Sequence, residues 1–125
     1  MLVRNRMSRP AITIQQDADF QKALALMQEK KLRRLPVVDD DGQLVGIIVE
    51  RDLLVAAMRY LQSRVEVGDV MTRNVVTVGP DTDLNEVART MLERRIGGLP
   101  VLEHGRLVGM ITESDIFKRF VELQS

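Results

Sequence analysis

Gly109-Met110-Ile111-Thr112-Glu113-Ser114-Asp115 is the stretch that decides how this chain folds. The apolar run Leu107 to Ile111 ends in a hydroxyl, a short polar step and a carboxylate. Ile116, Phe117, Phe120 and Val121 follow at helical spacing, so a strand hands over to a helix at this point. Thr112, three residues before Asp115, reads as a capping box that satisfies the free amides of the starting helix. The same junction suits a nucleotide. Helix amides and dipole favour phosphate, and a carboxylate accepts hydrogen bonds from a ribose diol. Both readings stand on these residues alone.

Working outward, the junction turns out to be the end of a repeat. In the first half, Ala11-Ile12-Thr13-Ile14 reads as a short strand after the breaker Arg9-Pro10. Asp17 and Asp19 are candidate N-caps for a helix with Phe20, Ala23, Leu24 and Met27 on one face. Leu35-Pro36-Val37-Val38 is a second strand with proline at its start, and Asp40-Asp41-Gly42 a tight turn. Leu44 to Val49 is a third strand, expected to be buried on both faces from its unbroken hydrophobicity. Asp52 then opens a helix with Leu53, Leu54, Ala57, Met58 and Leu61 inward.

The order recurs at an offset of about 64 residues. Met71-Thr72-Arg73 matches Met7-Ser8-Arg9, and Thr77 matches Thr13. Asp81 and Asp83 match Asp17 and Asp19, Met91 matches Met27, and Leu99-Pro100-Val101 repeats Leu35-Pro36-Val37. After a one-residue deletion in the turn, Leu107-Val108-Gly109 repeats Leu44-Val45-Gly46, and Asp115 repeats Asp52. The chain is two copies of one β-α-β-β-α unit, an α/β (α+β) fold, with the first copy at 3–62 and the second at 66–125. A unit of about 60 residues buries too little surface to stand comfortably alone, so the copies are expected to pack together with a binding cleft between them.

Composition narrows the chemistry. Eighteen basic and 18 acidic side chains cancel, and with no Trp, one Tyr and three Phe there are few platforms for stacking bases. No nucleic-acid partner is expected, although Arg33 and Arg94-Arg95 are basic. The absence of cysteine removes disulfides, thiolate metal sites and cysteine nucleophiles. His104, the one histidine, lies beside Gly105 in a turn, which argues against a histidine metal site or a Ser-His triad. Asp39-Asp40-Asp41 is the one carboxylate cluster and reads as a turn beside Gly42, so no catalytic or metal residue is assigned and the chain is read as no enzyme. Met1 to Arg6 has no apolar core of signal-peptide length, and the run Leu53 to Met58 is far short of a membrane span. The expectation is a soluble, cytoplasmic protein with no membrane partner.

The doubled pattern resembles a pair of cystathionine β-synthase (CBS) domains, the Bateman module. Leu-Pro-Val opens the second strand of each unit, at Leu35-Pro36-Val37 and Leu99-Pro100-Val101. The third strand closes with Gly46 to Asp52 and Gly109 to Asp115, the second following the opening segment Gly68-Asp69-Val70-Met71-Thr72. The resemblance covers nearly the whole chain and implies a stand-alone regulatory, energy-sensing module that binds adenosine nucleotides (AMP, ADP or ATP), or another adenosyl compound such as S-adenosylmethionine or NAD. No cofactor is required. By that resemblance Thr112 contacts phosphate and Asp115 the ribose hydroxyls, with Ser114 nearby. Adenine slots between Val75-Val76-Thr77 and Ile96-Gly97-Gly98, ahead of Pro100. By the same resemblance Arg33 and Arg34 are candidate phosphate contacts, one or the other reaching across the cleft.

The two copies are not equivalent. Where the second has Thr112 the first has Val49, which offers no hydroxyl, although Asp52 survives. The first site, with Ala11, Ile12, Thr13, Val49 and Asp52, is therefore read as degenerate or altered in its ligand. A competing reading is a structural module without ligand. The resemblance implies a homodimer through helices 53–61 and 116–121, a two-fold assembly, and an effector protein downstream.

Overall fold

The computed structural model describes residues 1–59 and 64–124. The chain forms two compact units, Ile12–Val75 and Met1–Ala11 with Val76–Ser125. These are not cut at the boundary between the sequence repeats. Each unit holds the body of one repeat and the opening segment of the other.

In the Ile12–Val75 unit, strand β1 (Ile14–Gln15) pairs in parallel with β2 (Arg34–Val38), which pairs antiparallel with β3 (Leu44–Val49). Helices α1 (Phe20–Lys30), α2 (Glu50–Arg59) and the single turn α3 (Val67–Val70) complete it. Asp19 is the N-cap of α1, its carboxylate accepting from the Gln21 amide at 2.8 Å. Asp39 Oδ1 accepts from the Asp41 and Gln43 amides at 2.9 Å each, and Gly42 at φ 78° closes the expected turn. Phe20, Ala23, Met27, Leu35, Val37, Ile48 and Leu53 form the core.

Several expectations are corrected here. The first strand is not Ala11–Ile14 but two residues, Ile14–Gln15, because Ile12 and Thr13 are exposed and unpaired with β2. β2 begins at Arg34, one residue before the expected Leu35, so Pro36 is its third residue and lies one place before pairing with β1 begins at Val37. β3 is not buried on both faces. Only Gly46 and Ile48 are buried, so the strand alternates with a period of two. Asp52 sits in the first turn of α2 behind Glu50. On that helix Leu53 and Ala56 face the core, whereas Leu54 is 49% and Met58 80% exposed; Leu61 lies outside the described residues.

In the other unit, α4 (Leu84–Arg94) is capped by Asp83, which accepts from Asn85 at 2.8 Å. Strands β4 (Gly98–Glu103) and β5 (Arg106–Thr112) form a hairpin, and α5 (Glu113–Gln124) follows at once. His104 and Gly105, with φ 53° and 77°, make its turn as read from the sequence. Val75-Val76-Thr77 is not a strand. One parallel bridge, Val78 to Val101, is what remains of it. Val3, Leu84, Val87, Met91, Leu99, Val101 and Ile111 form the core.

The glycine of each junction marks where the exchanged segment docks. Ser8 exchanges two backbone hydrogen bonds with Met110, at 2.9 and 3.0 Å. Thr72 does the same with Ile47, at 2.9 and 2.8 Å. A side chain on Gly46 would come within 2.8 Å of the Thr72 carbonyl oxygen, and one on Gly109 would overlap that of Ser8. Only glycine lets these backbones approach so closely.

Candidate functional site

The junction at Thr112 is built as half a capping box. Asp115, the third residue of α5, folds back so that its Oδ2 accepts from the Thr112 amide at 2.9 Å and from the Thr112 hydroxyl at 3.1 Å. The hydroxyl thus donates to the carboxylate instead of accepting from the helix. Asp115 is 9% exposed, so this doubly bonded carboxylate is held at the helix start with little access to water. The Glu113 amide donates to the Gly97 carbonyl at 2.9 Å, and Gly98 lies opposite Thr112 in the β4–β5 register.

Gly97, Gly98, Thr112 and Asp115 are therefore brought together, with Ser114 exposed in the first turn of α5. Pro100 is buried two residues along β4, and Ile96 packs against the core, its amide donating to Met91 at 3.1 Å. Val76 and Thr77 line a different cavity of about 410 Å³, with Thr82, Glu86 and Thr90. Val75 belongs to the Ile12–Val75 unit. A cavity of about 520 Å³ runs along Ser114, Phe117, Lys118, Val121 and Glu122 and does not include Thr112 or Asp115.

One charged group that sequence reasoning passed over stands near Asp115. Arg6, in the opening segment, forms a two-pronged ion pair with Glu122 on α5. Hydrogen bonding to Glu122, helped by the charges of Glu122 and Asp115, raises the Arg6 pKa, and Arg6 in turn lowers that of Glu122. Asn5 beside it accepts from the Leu2 amide at 3.1 Å.

The same place in the other unit differs residue by residue. The Glu50 amide donates to the Arg33 carbonyl at 2.8 Å and Arg34 lies opposite Val49, so the frame of the junction is preserved. Val49 has no hydroxyl, and the half-buried Asp52 side chain has no hydrogen bond among the described residues. It faces a cavity of about 580 Å³ walled by Ala56, Arg59, Arg64, Asp69 and Val70. Asp69 Oδ2 accepts from the Glu66 amide at 3.0 Å, the counterpart of Asn5 and Leu2. Ala11 lies in the other unit, and Ile12 and Thr13 are exposed outside any strand. Arg59 and Arg64 were not singled out from sequence, and Asp69 entered only as part of the opening segment Gly68 to Thr72. The repeat offset, which sets Asp69 on Asn5 and Val70 on Arg6, was the signal that could have found them.

Among the described residues no group of three or more His, Asp or Glu could hold a metal ion, and no helix is long and apolar enough to cross a membrane.

Comparison with known proteins bears on this arrangement. The CBS domain profile matches residues 3–59 and 67–122. An uncharacterized protein of Methanocaldococcus jannaschii is 36% identical over 93% of this chain, which spans 41% of that relative's length. A CBS domain pair crystallised with 5′-methylthioadenosine and S-adenosyl-L-methionine has a TM-score of 0.90 at 32% identity, over 98% of this chain and 97% of that one. CBSX2 in complex with AMP has a TM-score of 0.87 at 30% identity, over 99% and 98% of the two chains.

Proposed function

As a tandem pair, the chain belongs to the CBS domain family, and from that premise we propose a regulatory module that binds an adenosyl compound, an adenosine nucleotide such as AMP, ADP or ATP in the first instance, and passes the change to an effector protein. The observation that carries the reading is the buried Asp115 carboxylate, held by Thr112 at a helix N-terminus beside Gly97-Gly98. A ribose diol can replace the Thr112 hydroxyl as donor to this carboxylate, and the released hydroxyl and helix amides then face a phosphate. Asp52 offers the same acceptor in the other unit. Relatives of similar sequence and fold that hold AMP, 5′-methylthioadenosine or S-adenosyl-L-methionine support the ligand class. On this reading the module works in the cytoplasm as an energy sensor and catalyses nothing itself.

The test is a thermal-shift panel of AMP, ADP, ATP, NAD and S-adenosylmethionine in large excess. A ligand at about 100 times its dissociation constant adds about 2.7 kcal/mol, several degrees in Tm for a chain of this size. One clear winner supports the sensor and names its ligand. No shift from any of them leaves Thr112 and Asp115 as caps and the protein as a scaffold.

A second reading rests on exposed apolar side chains. Leu54 and Met58 on α2, and Phe117, Phe120 and Val121 on α5 at 60–63% exposure, leave apolar surface to cover. We propose that these helices pair in a two-fold homodimer. Light scattering at micromolar concentration is expected to return twice the 14.2 kDa chain mass. A monomer there sinks this reading.

A further inference from the structure

We infer that α2 of one copy packs on α5 of a second copy of this chain, so that each helix meets its repeat counterpart and not itself. The inference rests on the homodimer proposed above and assigns which helix covers which.

Both helices turn an apolar stripe outward, Leu54, Val55 and Met58 on α2 and Phe117, Phe120 and Val121 on α5. The charges that frame the two stripes differ in sign. Arg51 and Arg59 stand at the ends of the α2 stripe, exposed and without an ion pair among the described residues. Glu113 and Glu122 stand at the ends of the α5 stripe. Glu113 is exposed with no ion pair among the described residues, and Glu122 is held by Arg6. The acids of α2 are set deeper than its arginines, since Glu50 and Asp52 are half-buried and Asp52 faces its cavity. On α5, Lys118 is exposed in mid-stripe, Arg119 is half-buried, and the buried Asp115 is bonded to Thr112.

Two copies of α2 face to face set arginine against arginine whichever way they run. Parallel helices oppose Arg51 to Arg51 and Arg59 to Arg59, and antiparallel ones oppose Arg51 to Arg59. Like charges brought together across an interface cost affinity and suppress that pairing. Two copies of α5 set glutamate against glutamate in the same way. With α2 on α5, each arginine meets a glutamate in either direction. A carboxylate has acceptor sites for more than one guanidinium, so Glu122 can hold Arg6 and still receive an arginine.

Side-chain size selects the same pairing. The offset that sets Asp52 on Asp115 sets the half-buried Ala57 on Phe120, which is 60% exposed. Facing helices interdigitate when large residues oppose small ones. α5 on itself crowds ring against ring, and α2 on itself leaves alanine facing alanine. Two-fold symmetry makes the mixed contact twice.

Leu54 and Phe117 lie near the middle of their stripes, so they meet in either direction, and the chain has no cysteine of its own. The test mixes full-length Leu54→Cys and Phe117→Cys chains, allows subunit exchange, oxidises mildly and identifies the joined peptides by mass. Bridged residues need Cα atoms within about 7 Å, so disulfides between position 54 and position 117 are expected to dominate. Dominant 54–54 and 117–117 disulfides overturn the inference, and so does a dimer by light scattering that gives no disulfide at these positions. A parent that is monomeric by light scattering brings down the homodimer itself and the inference with it. Charge reversal gives a second readout on chains without cysteine. R51E/R59E is expected to weaken self-association about tenfold, and adding Glu113→Arg to recover part of the loss. An R51E/R59E dimer as tight as the parent overturns the inference, because α2 on itself only exchanges one like pair for another.

Discussion

The junction Thr112–Asp115 and the junction Val49–Asp52 share a frame and differ in what fills it. In both, the first helical amide donates to a carbonyl just before the second strand, Gly97 in one and Arg33 in the other. In both, the exchanged opening segment docks against the third strand at a glycine. One junction satisfies its carboxylate internally, and the other leaves it facing a cavity rimmed with guanidinium groups. Duplication preserves backbone geometry, which every hydrogen-bonded neighbour enforces. Side chains at the helix start can diverge because each changes only local bonding. The missing hydroxyl at Val49, with Arg59 in place of Glu122 and Val70 in place of Arg6, therefore separates two sites that a backbone trace would call equal.

The largest effect expected on this comparison comes from attacking the shared frame. Gly109→Ala should cost about 3 kcal/mol or more, since its methyl overlaps backbone at Ser8. Gly46→Ala should cost somewhat less, because its methyl would lie 2.8 Å from the Thr72 carbonyl oxygen where that of Gly109 would lie closer still to that of Ser8. The other atom it meets, Met71 Sδ, belongs to a flexible side chain. Chemical denaturation of the two variants checks the order, and a larger loss at Gly46 would break the account of docking.

Next comes the carboxylate. Asp115→Asn removes a charged acceptor from two donors in a buried place and should cost about 1.5–3 kcal/mol, whereas Asp52→Asn should fall within about 0.5 kcal/mol. Equal losses would mean that Asp52 has a partner in solution. Exchanging the cap residues sharpens the contrast. Val49→Thr should add about 0.5–1 kcal/mol by supplying Asp52 with a donor, and Thr112→Val should lose a similar amount. Thermal melts without ligand would show both.

The smallest expected effect is electrostatic and belongs to one unit only. The Glu122 carboxyl, bonded to Arg6, titrates below its ordinary value of 4.5 in the folded chain. Its contribution is thus fully present above about pH 4.5 and is lost as pH falls through the lowered folded value. Glu122→Gln should flatten the acid limb of stability against pH and leave neutral pH nearly unchanged, because the pair is largely solvent-screened. Melting temperatures between pH 3 and pH 7 test this, and an unchanged acid limb would mean that the pair does not form.

Much of this was legible in the residues, for reasons of range. Asp19, Asp83, the Asp39–Gly42 turn and the tie between Thr112 and Asp115 are contacts over a few positions, where spacing alone sets geometry. The resemblance named the family, and both repeats match it. What failed was long-range. Helical spacing made Leu54 and Met58 apolar neighbours of Leu53, but period cannot tell a core face from an exposed one. Nor does a run of valine and isoleucine tell a strand buried on both faces from β3, which alternates. The match between Met7-Ser8-Arg9 and Met71-Thr72-Arg73 gave the repeat without saying which sheet each segment would join.

That last feature has a consequence in time. Residues Ile12–Val75 are contiguous, so every segment of this unit is at hand once Val75 has cleared the ribosome. The other unit needs Met1–Ala11 together with Val76–Ser125. Met1–Ala11 therefore waits while its partner segment Val76–Ser125 is made, roughly ten seconds at ordinary elongation rates, with Val3 exposed for want of its core. A circular permutant opened between Ala11 and Ile12 would make both units contiguous and remove the wait. Whatever the chain loses to early misfolding or proteolysis, that permutant should recover.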